Sequence, residues 1–156
     1  MIKSRHKARS LALQELYSIG VQATVTPSVF STVKSEDELF TFLREDERKE
    51  LDPTLLAYAT FIVNYVVENF EDINAKILAY SRGRSLDRIA PVDLAILRLS
   101  IATLLFDKDT HPSIVIDEAV KLSSSYSNEI NFRFINGVLD SFVKENIKTK
   151  LTKGTI

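Results

Sequence analysis

The stretch Asn131-Phe132-Arg133-Phe134-Ile135-Asn136-Gly137-Val138-Leu139-Asp140 places two aromatic residues and an arginine at the mouth of a helix. Ile135, Val138, Leu139, Phe142 and Val143 recur at spacings of three and four, the period of a helix with one face in a core. Gly137 interrupts that stripe. Glycine inside a helix costs about 1 kcal/mol relative to alanine, so its presence implies that something approaches the helix backbone closely. Phe134 falls just before the stripe opens at Ile135, so its ring can face outward at the helix start, flanked by Arg133.

The same period runs through the rest of the chain, with no run of alternating residues bounded by hairpin signals. Residues 3–20 form a first helix with Ala8, Leu11, Ala12, Leu16 and Ile19 in an apolar stripe, Arg5 and Arg9 one turn apart on another face, and Gly20 as its stop. Residues 21–34, rich in β-branched residues, Ser and Thr, read as a loop. The acidic segment 35–50 predicts a short amphipathic helix around Leu39, Phe40, Phe42 and Leu43. Asp52-Pro53 is an N-cap followed by proline at the first helical position. The helix it opens buries Leu56, Ala59, Ile62, Val63, Val66, Val67 and Phe70, and a shorter one follows from Asp72 to Ser81.

Arg82-Gly83-Arg84-Ser85 breaks the pattern. Pro91 then opens a helix that is apolar almost all round, which marks a central core element. Its run from Leu94 to Phe106 is shorter than a bilayer span and contains Arg98, so a buried helix explains it better than a membrane one. A buried arginine must be paired, and Asp117, Glu118 and Asp140 are the candidate carboxylates. Thr110-His111-Pro112 opens a sixth helix carrying Val115, Ile116, Ala119, Val120 and Leu122. The chain is therefore expected to be all-α with about seven helices. It divides into an N-terminal subdomain over 1–81, a C-terminal one over 82–146 and a polar tail over 147–156.

Composition narrows the chemistry. The 156 residues are 45% apolar and 26% charged, with a net charge of −1, which suits a globular protein rather than a polycation. No cysteine is present, which excludes disulfides, thiolate metal sites and cysteine nucleophiles. His6 and His111 lie far apart in unlike contexts, and the four glycines are not clustered into a phosphate-cradling loop. The acidic run from Glu36 to Asp52 reads as a solvated face rather than an acid–base pair. No catalytic residue, cofactor or metal is expected.

The main electrostatic feature is the group Lys3, Arg5, Lys7 and Arg9, with no acid before Glu15. No uninterrupted apolar core follows it, because Gln14 and Glu15 intervene, so it is not a signal peptide. Cations at a helix N-terminus oppose the helix dipole, an arrangement that stability alone does not favour and a polyanion partner would. Phosphate contacts position such a partner without reading its sequence, whereas unpaired RNA bases are read by stacking and by hydrogen bonds to their edges. Phe132, Phe134, Tyr126 and Tyr17 are candidate stacking platforms. Asp93 is either a helix-dipole partner in the first turn after Pro91 or an acceptor for base amino groups.

Three blocks, in this order and spacing, resemble the NusB family of bacterial transcription antitermination factors over nearly the whole chain. They are Ala8-Arg9 with Ala12-Leu13-Gln14-Glu15-Leu16-Tyr17, then Asp87-Arg88-Ile89-Ala90-Pro91-Val92-Asp93 running into Leu94–Leu99, then Asn131–Asp140. The resemblance implies two stacked small helical subdomains, a cytoplasmic location and no cofactor. It also implies binding to the boxA element of ribosomal RNA leader transcripts together with NusE, a small-subunit ribosomal protein, and loading onto the RNA polymerase elongation complex. Some members of the family also form homodimers. Carried over by position, the RNA-facing set is Lys3, Arg5, Lys7, Arg9, Asp93 and Phe134, with Asp93 also close to the partner-binding surface. His6 stands where some relatives have arginine, Arg84 where many have tryptophan, and Leu94 where a basic residue is common. Ala102-Thr103 replaces a common Tyr-Glu, and Ser127–Asn131 lacks the usual Gly and Lys character. Two alternatives remain from other classes: an RNA-binding domain like that of ribosomal RNA cytosine methyltransferases, and a helical protein–protein adaptor without RNA binding.

Overall fold

The computed structural model is all-α and describes residues 4–127 and 131–147. In chain order the helices are α1 (Arg5–Ala23), α2 (Glu45–Lys49), α3 (Pro53–Glu68), α4 (Phe70–Tyr80), α5 (Pro91–Phe106), α6 (Pro112–Tyr126) and α7 (Phe132–Asn146), joined by short 3-10 turns. Of the positions singled out above, Lys3, residues 128–130 of the last loop and residues 148–156 of the tail lie outside the described residues.

Proline stands at the start of α3, α5 and α6, where its fixed φ suits the first helical turn and its missing N–H is not needed. The residue before it completes two of these starts. Asp52 Oδ1 accepts the Thr54 N–H at 2.9 Å, and His111 Nδ1 accepts the Ser113 N–H at 3.1 Å. His111 is thereby a helix cap.

The chain forms two compact units, Met1–Phe70 and Glu71–Ile156. In the first, α1 packs along α3. Leu11, Ala12, Leu16 and Ile19 are buried on α1, as are Ala59, Ile62, Val63 and Val66 on α3. The middle of α1 is buried on every side, because Ala8, Arg9, Ser10, Leu11, Ala12 and Leu13 are all inside. The helix also continues past Gly20 to Ala23, so that glycine is tolerated within the last turn rather than ending it.

The helix expected around Leu39 to Leu43 does not form; α2 covers only Glu45–Lys49. Leu39 and Phe40 are consecutive and both fully buried. The chain instead turns sharply, with Phe40 at φ 59°, a left-handed conformation that costs a non-glycine residue about 1–2 kcal/mol. Polar side chains hold the turn. Glu15 accepts the Phe40 N–H at 2.7 Å, while Arg48 donates to the carbonyls of Leu39 at 3.0 Å and Glu36 at 2.6 Å. Glu15 and Arg48 are thus structural clamps.

In the second unit α5, α6 and α7 pack against one another. From Ala95 to Leu104 every residue of α5 is buried, in keeping with its being apolar almost all round. The stripe Ile135, Val138, Leu139 and Phe142 of α7 is likewise buried. Residues of α4 join this unit through Tyr80, whose ring meets Phe142 edge-on at 6.0 Å between centroids. The Tyr80 hydroxyl donates to Glu145 at 2.9 Å and accepts from Asn146 at 2.8 Å. These bonds explain why the division falls after Phe70 rather than at residue 82. Phe70, expected at the end of α3, instead opens α4.

Arg98 is buried at 6% exposure, and its Nε donates to Asn74 Oδ1 at 3.1 Å. An amide is thus one of its partners, and Asp140, one of the carboxylates expected for it, pairs with Lys144 at 3.0 Å. Burial pushes the guanidinium down to about 10, so it stays charged at neutral pH.

Candidate nucleic-acid interface

The first unit presents cations at a helix start, as the sequence implied. Ser4 caps α1, its Oγ accepting the Lys7 N–H at 3.4 Å, and the first turn contains no acid. Arg5 is exposed and Lys7 half-buried. The Arg5 guanidinium lies 4.8 Å from the centre of the Tyr58 ring, a cation–π contact that orders it beside a depression lined also by Ser4 and Thr54. Arg9 departs from expectation. It lies one turn further along but is only 6% exposed, because the middle of α1 has no solvent-facing side. Its Nε is buried without a hydrogen-bond partner among the described residues.

The second unit carries the aromatic feature. Phe134 is half-buried in the first turn of α7, whereas Phe132 is exposed at 38%. The Arg84 guanidinium stacks on the Phe134 ring at 4.2 Å from its centroid, and Arg133 lies 5.9 Å from the centre of Phe132. A tight turn brings Arg84 there. Arg82 and Gly83 adopt φ of 54° and 81°, and the buried Ser81 hydroxyl donates to the Arg84 carbonyl at 2.6 Å. Among the described residues, Arg82, Arg84 and Arg133 make no ion pair with a carboxylate. Guanidinium groups without carboxylate partners beside the Phe132 and Phe134 rings favour an anionic ligand with a flat face.

In the sequence Arg82 and Arg84 belong to a break between helices, and Arg84 stands where many relatives have tryptophan. The signal that adjoining cations follow a helix was present, but their proximity to a ring some fifty positions later was not. Gly137 also departs from expectation, since a Cβ there would meet nothing within 4 Å. No part of the described protein approaches the backbone at that point.

Asp93 occupies the first turn of α5, as expected, but is buried at 3% exposure. The Ser127 hydroxyl at the end of α6 donates to its Oδ1 at 2.6 Å. This bond ties two helix termini together and complements the α5 dipole. Asp93→Ala is therefore expected to cost about 1.5–3 kcal/mol, the range for a hydrogen bond to a charged group. Thermal unfolding would check this, and a loss below about 0.5 kcal/mol would exclude the structural role.

Among the described residues no group of three or more His, Asp and Glu side chains is placed to hold a metal. No helix among them is long and apolar enough to cross a membrane.

An all-helical protein with a cation-bearing first helix and an arginine-flanked ring on its last helix belongs to a narrow class, and comparison with known proteins specifies it. The chain belongs to the NusB family, whose model matches residues 6–144. It is 39% identical over 149 residues to a transcription antitermination protein NusB of Leptospira biflexa, covering 96% of this chain and 98% of that one. Its fold matches the crystal form of NusB from T. maritima with a TM-score of 0.78 at 27% identity, over 99% of both chains. A chain in the crystal structure of a plectonemic RNA supercoil matches with a TM-score of 0.76 at 29% identity, over 93% of this chain and 97% of that one.

Proposed function

We propose that this protein is a non-enzymatic transcription antitermination factor of the cytoplasm that binds RNA. Its target is the boxA element of ribosomal RNA leader transcripts, bound together with NusE and carried to the RNA polymerase elongation complex. The observation that carries this reading is the half-exposed Phe134 ring at the start of α7 amid arginines that no carboxylate among the described residues neutralises. The ring stacks on an unpaired base, and the guanidinium groups meet phosphates. Similarity to the chain from the RNA supercoil structure supports the same ligand class.

Of the positions that the family likeness assigns to RNA, Arg5, Lys7 and Phe134 make direct contacts. Lys3 extends the basic group. Arg9, enclosed in α1, and Asp93, which ties α5 to the end of α6, are buried and act by holding the fold that presents the others. Phosphate contacts by Arg5 release counterions, so affinity falls with salt. Arg5→Ala is expected to reduce the log–log salt slope by about 0.7, the value for one phosphate contact on a single strand. Salt titration of binding to a boxA leader RNA measures this, and an unchanged slope removes Arg5 from the interface.

The broader test compares a boxA leader with a scrambled strand, each with and without NusE. Tighter binding to boxA, enhanced by NusE, is the expected result; equal affinity for both strands under both conditions refutes the assignment. The burial of Arg9 and Asp93 favours a second reading, a protein–protein adaptor that has lost RNA binding. That reading predicts retained affinity for NusE with no measurable RNA affinity.

A further inference from the structure

Helix α3 is apolar on two sides. Ala59, Ile62, Val63 and Val66 face the core of the first unit. The opposite side holds Tyr58, Phe61 and Tyr65 at spacings of three and four, which sets one aromatic row along the helix. Phe61 is 52% exposed in the middle of this row, and its ring meets that of Tyr65 at 6.0 Å with a tilt of 36°. The two ends of the row carry opposite charges. Arg5 of α1 lies over the Tyr58 ring at 4.8 Å, while Glu68, exposed, closes the helix on the same face. Neither the core nor the RNA contacts described above employ Phe61, Tyr65 or Glu68.

We propose that this row is the contact face for a second copy of the chain, with two α3 helices packed antiparallel about a two-fold axis. The axis passes near the centre of the row, so Phe61 of each copy meets Tyr65 of the other. The Arg5 end of each row then lies beside the Glu68 end of the other. Opposite charges at the two ends are what make the row complementary to itself, because a parallel pairing would set like charges together. Aromatic rings at the centre with charges at the rim are also the usual anatomy of a protein–protein contact. From Tyr58 to Glu68 the row spans about 15 Å. An RNA strand fits this face less well, since α3 contributes no lysine or arginine and ends on an acid. One helix face is smaller than the about 800 Å² per partner of a stable interface, so the pairing is reversible and depends on concentration.

Sedimentation equilibrium of the full chain over a range of concentrations measures the pairing. The average mass is expected to rise with concentration towards twice that of one chain. Phe61→Ala is expected to weaken association about tenfold, as for a ring at the centre of an interface, without lowering the melting temperature, since an exposed ring fills no core. Arg5→Glu and Glu68→Arg each set like charges together at both ends and are expected to weaken association as well. Mixing these two variants restores opposite charges at both ends, so each should pair with the other more tightly than with itself. A chain that stays monomeric at every concentration overturns the proposal. So does a dimer that Phe61→Ala leaves unchanged, or one whose charge variants show no preference for each other. If Phe61→Ala weakens binding of a boxA strand while the chain stays monomeric, the row belongs to RNA and the proposal falls.

Discussion

Phe142→Ala is expected to destabilise the protein by about 3–5 kcal/mol, the usual cost of emptying a buried phenylalanine site. Phe142 is fully buried on the inner stripe of α7, and its ring also supports Tyr80 of α4 in an edge-on pair at 6.0 Å. Such pairs contribute about 0.5–1.5 kcal/mol beyond the area they bury, and the cavity left in the substitution has several fixed helices around it. Since domains of this size are stable by only about 5–15 kcal/mol, this single change removes a large share of the total. Urea denaturation should show a lower midpoint with an unchanged slope. A loss under about 2 kcal/mol would mean that α7 is not packed in the second unit as described.

Phe134→Ala, two turns earlier on the same helix, is expected to do the reverse: leave stability nearly intact and remove RNA affinity. The ring is half-exposed and covered mainly by the Arg84 guanidinium, itself on the surface. Truncation forfeits that cation–π contact, about 0.5–1 kcal/mol at an exposed site, and creates no sealed cavity. Stacking of one base on an aromatic side chain is worth about 1–3 kcal/mol, so affinity should fall by about 5- to 150-fold. Anisotropy titration with a boxA strand and a parallel melting curve measure the two effects on one sample. Unaltered affinity would remove the central observation from the RNA-binding reading and leave the adaptor in its place.

The pair illustrates how far a single helix can be read from its residues. Ile135, Val138, Leu139 and Phe142 declare the inner face by their spacing, and Phe134 declares itself outside that face by position. Both statements concern one helix and its own axis, and both agree with the burial found. Arg9 was read by the same logic and behaves differently. Its place opposite the apolar stripe of α1 says only that it is not on that stripe; in fact the middle of the helix is enclosed on all sides. Asp93 is a similar case, since its helix-dipole role follows from Pro91 beside it, but its bond to Ser127 joins residues 34 positions apart.

By itself the sequence determined the helical class, the proline-led starts of α3, α5 and α6, the buried character of α5 and the family to which the chain belongs. The first three follow from local rules, the 3.6-residue period and the fixed φ of proline, and the family from the likeness of three sequence blocks to known members. Tertiary structure alone decided that Arg9 and Asp93 are enclosed, that Phe40 turns left-handed to bury itself beside Leu39, and that Arg84 rests on Phe134. The physical reason is that periodicity orients a side chain about its own helix, whereas its burial and partners depend on which distant segments the folded chain brings around it.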